Sequence, residues 1–207
     1  MERVLTRKGE ATRARIVAGA AEVLRERGPS VTTLDDVRLR TGTSKSQLFH
    51  YFPGGKDDLL LAVARYEGSR VLEDQQPHLG CLDTWDAWYR WRDAVVERYR
   101  AQGDTCPLGS LYAQIGRSTP GARAVVVQLL AEWQEHLATG IRALRDGGRL
   151  PASIDVDQAA AALLAAIQGG VSIMLSTGRI THLEAALDWH IAQLRSAGED
   201  LPGRMVE

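Results

Sequence analysis

Lysine is scarce in this chain of 207 residues: Lys8, Lys45 and Lys56 stand against 22 arginines. Cysteine is scarcer still. Cys81 and Cys106 lie 25 residues apart, with no pair at short spacing. That argues against a disulfide-stapled scaffold and against the C-x-x-C frameworks of zinc and redox sites. Neither thiol has the basic neighbours that lower a cysteine pKa, so free thiols are expected, with a redox-sensing pair as the lesser alternative. The five histidines, His50, His78, His136, His182 and His190, are scattered and form no recognisable metal-ligand pattern. A Gly-rich phosphate loop and a G-x-S-x-G elbow are both missing. No metal, cofactor or catalytic machinery is therefore expected. The first 15 residues are charged and lack an apolar core, so no secretory leader is expected and a reducing cytoplasm is the expected compartment.

Long uncharged stretches are rare too. One, Ala159 to Gly178, has the 20-residue length of a membrane span. It is mostly alanine and glycine, holds Gln168, Ser172, Ser176 and Thr177, and lacks an aromatic belt and basic flanks. It is expected to be a buried helix, with Ala161, Ala165 and Gly169 at four-residue spacing for close helix contact, and no membrane association is expected. The remaining composition, 44% hydrophobic and 25% charged, is that of a globular chain able to bury a core in one or two domains. The net charge of −1 conceals an asymmetry. Residues 1–56 carry 11 basic and 6 acidic side chains, the rest 14 and 20. A basic head on an acidic body suits a small nucleic-acid-binding module, the plainer alternative being chance in a mixed-charge surface.

What is present is densest between residues 33 and 56. Thr33 with Asp36 three residues later is a capping-box pattern, and Asp35 and Asp36 suit the positive end of a helix dipole. Leu34 and Val37 share a face. Gly42 ends this short helix where the chain must turn through positive φ. Ser44 caps a second helix that buries Leu48 and Phe52 and stops at Pro53-Gly54-Gly55. Helix, tight turn and helix make the unit whose second helix enters a DNA major groove. Its outward residues are Lys45, Ser46, Gln47 and His50. Lysine can reach guanine or a phosphate, and glutamine can pair with adenine. Tyr51 and Lys56 lie where phosphate contacts fall. Two short amphipathic helices with solvated charges are the bland alternative.

The rest reads as helices with short breaks. One spans about Gly9 to Arg27, one Lys56 to Glu73, one Asp83 to Ala101, a short one Leu108 to Ile115, and a long one Pro120 to Arg145. Two more run from Asp155 or Asp157 to Gly178, and from Thr181, in a capping box with Glu184, to Ala197. Trp85, Trp88, Tyr89 and Arg92 share one helix face, and Trp133 shares another with His136. Concentrated aromatics with few polar groups suit an apolar ligand pocket, or equally an ordinary core. Tyr112, Gln168 and Val171 complete this candidate ligand set. Leu183, Leu187, Ile191 and Leu194 approach a heptad seam, which with the preceding apolar helix would build a four-helix bundle with a partner chain; packing within one chain is the alternative.

From Thr12 to Ala62 the chain resembles the TetR family of bacterial transcriptional repressors. Thr12 to Ala21 looks like the family's first helix, Val31 to Val37 its second, and Ser44 to Phe52 with Lys56 its recognition helix and the entry to the fourth. Gly54-Gly55 and Cys106-Pro107-Leu108-Gly109-Ser110-Leu111 resemble the LmrA-like subgroup. The resemblance implies that Lys45, Ser46 and Gln47 read bases, that Thr33, Tyr51 and Lys56 grip phosphates, and that a ligand pocket lies within the helical body. Thr43, Ser44 and His50 are added to the candidate DNA set. Phe49 departs from the family's tyrosine, Arg38 and Thr41 from its alanines, and Thr43 from its valine. The expected consequence is a loosened motif or a helix shifted in the groove, which bears on sequence specificity more than on the fold.

The expectation is an all-α homodimer of about nine helices per chain. A helix-turn-helix domain at 1–56 would bind a palindromic DNA operator, and a body at 57–207 would dimerise and take a small, largely apolar effector. A helical small-molecule carrier or enzyme whose N-terminal motif is purely structural is the first alternative, and a DNA-binding protein with no ligand, whose body only dimerises, is the second.

Overall fold

The computed structural model describes residues 5–103 and 119–199. Among these it is all-helical, with eight α-helices, one 3-10 turn and no strand. The helices are α1 (Arg7–Arg27), α2 (Leu34–Thr41), α3 (Lys45–Tyr51), α4 (Lys56–Glu73), α5 (Trp85–Gln102), α6 (Pro120–Asp146), α7 (Val156–Thr177) and α8 (Thr181–Glu199); the 3-10 turn is His78–Gly80. The helix expected at Leu108 to Ile115, with Tyr112 and Cys106, lies outside the described residues.

Side-chain caps set most of the helix starts. Thr6, Thr33, Ser44, Thr84 and Asp155 each accept a backbone N–H three residues on. Thr119 does the same for Ala122 at the start of α6. Each such cap contributes about 1 kcal/mol. The start of α8 differs from expectation. Thr181 is itself the first helical residue, and Glu184 is drawn away to an ion pair with Arg100 at 2.7 Å.

The chain forms two compact units. One runs to Val71 and includes the start of α6 as far as Leu129; the other takes Leu72 onward and α6 from Leu130. In the first unit Ile16, Ala20 and Leu24 of α1, Val37 of α2, Leu48 of α3, Phe52 just after it, and Leu59 and Val63 of α4 are all buried. Arg25 of α1 forms an ion pair with Glu67 of α4, whose side chain is fully enclosed. Burial pushes the Glu67 carboxyl above its ordinary value despite that arginine.

The second unit is built on Trp88 and Trp91 of α5, Trp133, Leu137, Ile141 and Leu144 of α6, Leu163 and Ile167 of α7, and Leu183, Leu187 and Ile191 of α8, none more than 0% exposed. A bidentate pair ties α5 to α8, Arg92 Nε to Asp188 Oδ1 at 2.7 Å and Nη2 to Oδ2 at 2.8 Å. Helices α7 and α8 pack most closely at Gly170, where any Cβ would stand 2.7 Å from the Cα of Leu183. Glycine is required there because backbone, not a movable side chain, occupies the space.

Two expectations are corrected here. The uncharged helix is buried on one face only. Ala160, Leu163, Ile167, Gly170, Val171 and Met174 face the core, while Ala161, Ala165 and Gly169 are solvent-facing, with nothing within 4 Å of a Cβ at Gly169. Its length and mean hydropathy of 1.7 would allow a membrane crossing, but one face is packed into the core of its own unit. Leu183, Leu187, Ile191 and Leu194, expected at a dimer seam, are buried in their own chain instead, Leu194 at 8% exposure being the least so. A heptad seam and a core stripe share the same spacing, and here α5 and α7 have claimed it.

Candidate nucleic-acid interface

The turn between α2 and α3 is held at both ends. Gly42 adopts φ 59° and ψ 33°, the left-handed conformation that costs a side-chain-bearing residue about 1 kcal/mol or more. Thr33 accepts the N–H of Asp36 at 3.2 Å and donates its hydroxyl to Asp36 Oδ2 at 2.7 Å. The Thr33 hydroxyl and N–H, with Arg27 beyond, hold the Asp36 carboxyl below its ordinary value. A second capping box opens α3. Ser44 Oγ accepts the N–H of Gln47, and Gln47 Oε1 accepts the N–H of Ser44, both at 3.1 Å.

The departures at Thr41 and Thr43 are matched by neighbours within the motif. Thr41 replaces a smaller residue, and Gly19 of α1 makes the room: a Cβ at Gly19 would stand 2.5 Å from the Thr41 methyl carbon. Thr41 donates to the Val37 carbonyl and Thr43 to the Thr41 carbonyl, while the two hydroxyls lie 2.8 Å apart. Arg15 caps the Thr41 carbonyl from α1. Arg38 is half-buried and pairs with Asp35 through Nη1, while its Nε is enclosed without a partner among the described residues.

On this frame α3 buries Leu48 and turns Lys45, Ser46, Gln47, Phe49 and His50 to solvent. Lys45 occupies the first position of α3, where the helix dipole disfavours a cation, and no acidic residue shares that first turn. The placement works against local stability and concentrates positive potential where an anion would approach. Gln47 can still donate from Nε2 while its oxygen serves the cap. Phe49 is 41% exposed beside Gly55 and Leu34. Its ring offers apolar contact, of the kind made with a thymine methyl, where a tyrosine would offer a hydroxyl.

The other expected contacts divide. Thr33 and Ser44 are exposed but their hydroxyls are engaged in the caps. Tyr51 is half-buried, stacked edge-on with His50 at 5.0 Å. Lys56 donates to the Pro29 carbonyl at 2.7 Å, so it joins α4 to the end of α1. Thr43 is corrected: at 4% exposure and hydrogen-bonded inside the turn, it presents no group to a ligand.

In the second unit the candidate ligand residues also separate. Trp88, Trp133 and Val171 are buried, and Trp85, Arg92, His136 and Gln168 are half-buried. Tyr89 is corrected to the surface, where Arg195 donates to its hydroxyl. Arg92 is committed to Asp188 and Asp93, a structural role. The interior face of α5 is Trp88, Trp91, Val95 and Tyr99. Trp91 is absent from the sequence-derived set, although its spacing from Trp88 and Val95 is the helical signal that finds it. Its indole lies edge-on to Trp88 at 5.7 Å and donates to Gln75 Oε1 at 3.0 Å.

Comparison with known proteins places both halves of the chain. Residues 16–63 match the model of bacterial regulatory proteins of the tetR family, and residues 83–189 match a tetracyclin repressor-like C-terminal domain. An HTH-type transcriptional regulator of Mycobacterium tuberculosis is 31% identical over 110 residues, which is 50% of this chain and 53% of that protein. The chain thus aligns with about half the length of this relative. One from Lactococcus lactis is 23% identical over 198 residues, covering 91% of this chain and 95% of that protein. A TetR transcriptional regulator of Chloroflexus aurantiacus superposes with a TM-score of 0.77 at 25% identity, covering 90% of this chain and 96% of the other. SmeT, the repressor of the Stenotrophomonas maltophilia multidrug efflux pump SmeDEF, superposes at 0.69 with 19% identity, covering 96% and 98%. With family models matched in order over the helix-turn-helix and over most of the helical body, this chain belongs to the TetR family of bacterial transcriptional regulators, which are DNA-binding proteins and not enzymes.

Proposed function

We propose that this protein is a ligand-responsive repressor that binds a palindromic operator as a homodimer in the cytoplasm and is released by a small, largely apolar effector. The observation that carries the reading is α3. Its one buried anchor, Leu48, fixes a helix whose exposed edge holds Lys45, Ser46, Gln47 and His50. Those groups can read base edges, while Tyr51 and the exposed N-terminal end of α1 lie toward the backbone. Residues 1–56 act as the reading head and 57–207 as the body.

The dimer uses the open faces of α7 and α8, not the leucine stripe. Ile173 is 39% and Trp189 is 59% exposed, and Ala161, Ala165 and Gly169 admit a helix at short distance. Two-fold pairing sets two α3 helices about one DNA turn, or a multiple, apart. An effector with higher affinity for the dimer geometry that mismatches the grooves shifts the population off DNA. SmeT, similar in fold, is the repressor of a multidrug efflux pump.

Selection of binding sites from a random DNA pool at fixed salt tests this reading. Enrichment of an inverted repeat is expected. A folded protein that enriches no sequence, with and without extract containing small molecules, would refute it and favour the carrier alternative.

A further inference from the structure

Three tryptophans are fully buried in the second unit: Trp88, Trp91 and Trp133. An indole has one polar atom, and it can only donate. The fold satisfies two of the three. Trp88 Nε1 donates to the Leu82 carbonyl at 3.0 Å and Trp91 Nε1 to Gln75 Oε1 at 3.0 Å. Trp133 Nε1 is enclosed by protein and has no acceptor among the described residues. It lies on α6 one heptad before Gly140, the position against which the Trp88 ring packs, so both belong to the face that α5 covers. On α7, Gln168 Nε2 is also enclosed without a partner. A glutamine amide can present either end, so the fixed requirement comes from Trp133.

We propose that Trp133 Nε1–H is the anchoring donor for the effector, and that the effector is an aromatic-sized apolar molecule bearing a carbonyl-type acceptor oxygen. This rests on the effector reading above. Buried donors in native proteins have acceptors, and an indole left without one amid two that are satisfied marks a place where an acceptor arrives from outside the chain. The apolar body of such a molecule gains affinity through burial, and the single donor selects for the oxygen. A hydrocarbon of the same shape would fill the site but leave the N–H unmatched.

Two probes of matched shape, 2-acetylnaphthalene and 2-ethylnaphthalene, separate these contributions. Equilibrium dialysis against the full-length protein should show the ketone binding about tenfold more tightly, the scale of one buried hydrogen bond. Trp133→Phe should bring the two probes to within about twofold of each other. Equal affinity for both probes in the native protein would overturn the donor assignment and leave the effector reading intact. An unchanged ketone preference in Trp133→Phe would do the same. If neither probe binds, the donor assignment fails, while the effector reading is decided separately by whether small molecules in a cell extract release the protein from its selected operator. A second measurement needs no probe. Trp133→Phe should lower Tm less than Trp88→Phe, which strands the Leu82 carbonyl. The reverse order would mean that the Trp133 N–H already has a partner, and would overturn the proposal.

Discussion

Lys45 and Lys56 bracket the recognition helix and invite the same role, yet their surroundings differ enough to predict opposite phenotypes. Lys45 is exposed at the first position of α3 and makes no hydrogen bond or ion pair. Its removal costs no packing, and relief of the dipole offsets any loss by a few tenths of a kcal/mol. Lys45→Ala should therefore leave Tm within about 1 °C, while lost base or phosphate contact weakens operator binding by roughly 1–3 kcal/mol, or about 5- to 150-fold. The salt dependence should fall by about one unit of slope if the contact is to a phosphate. Lys56 is half-buried and donates to the Pro29 carbonyl at 2.7 Å. Lys56→Ala removes a charge-assisted bond and leaves that carbonyl without its donor, at about 1–2 kcal/mol of stability. For a chain of this size that is roughly 2–8 °C in Tm. Calorimetric unfolding and fluorescence anisotropy on the selected operator, across a salt series, read both effects. The reasoning is refuted if Lys45→Ala lowers Tm as much as Lys56→Ala, or if Lys45→Ala binds the operator as tightly as the native protein.

Other expectations follow from single contacts. Gly170→Ala should destabilise by about 1–3 kcal/mol, because the new methyl meets the backbone of Leu183, whereas Gly169→Ala, one residue away in open space, should gain up to about 1 kcal/mol in helix propensity at concentrations where the protein is monomeric; thermal unfolding of the pair decides. Ile173→Asp with Trp189→Ser should shift sedimentation from dimer to monomer while the far-ultraviolet helix signal persists, and an unchanged dimer would move the interface elsewhere. The fold of Glu67 raises its carboxyl above the ordinary 4.5, so the folded state holds a proton that the unfolded chain releases first. Stability relative to Glu67→Gln should therefore fall as pH rises from 4.5 through the raised value, and stay low above it. A difference that grows in favour of the native residue with rising pH would show that the Arg25 pairing outweighs burial.

Local chemistry was legible from the residues alone. Thr33 with Asp36, Ser44, Asp155 and the glycine at 42 act within three or four residues of chain, so hydrogen-bond geometry ties them to sequence spacing. The helix-turn-helix and its outward edge followed from those signals, and the bounds of α4 agree with the expectation at both ends. What spacing could not supply was the partner of each face. The stripe Leu183, Leu187, Ile191 and Leu194 has the same period whether it meets another chain or its own α7, and only the tertiary structure shows that it is interior. Gly169 and Gly170 are adjacent and identical in sequence terms, yet one faces solvent and the other the Leu183 backbone, because 100° of helix rotation separates them. Trp91, Tyr89 and Arg92 were sorted wrongly or missed for the same reason: a cluster of aromatics shows that a helix has a buried side, while the ion pair to Asp188 and the bond to Gln75 fix which side it is. The sequence determined the helices and the polar edge offered to DNA, since those depend on neighbours along the chain. The tertiary structure decided which apolar faces are spent inside, and which donor, Trp133, is left without an acceptor among the described residues, since those depend on what the other helices bring.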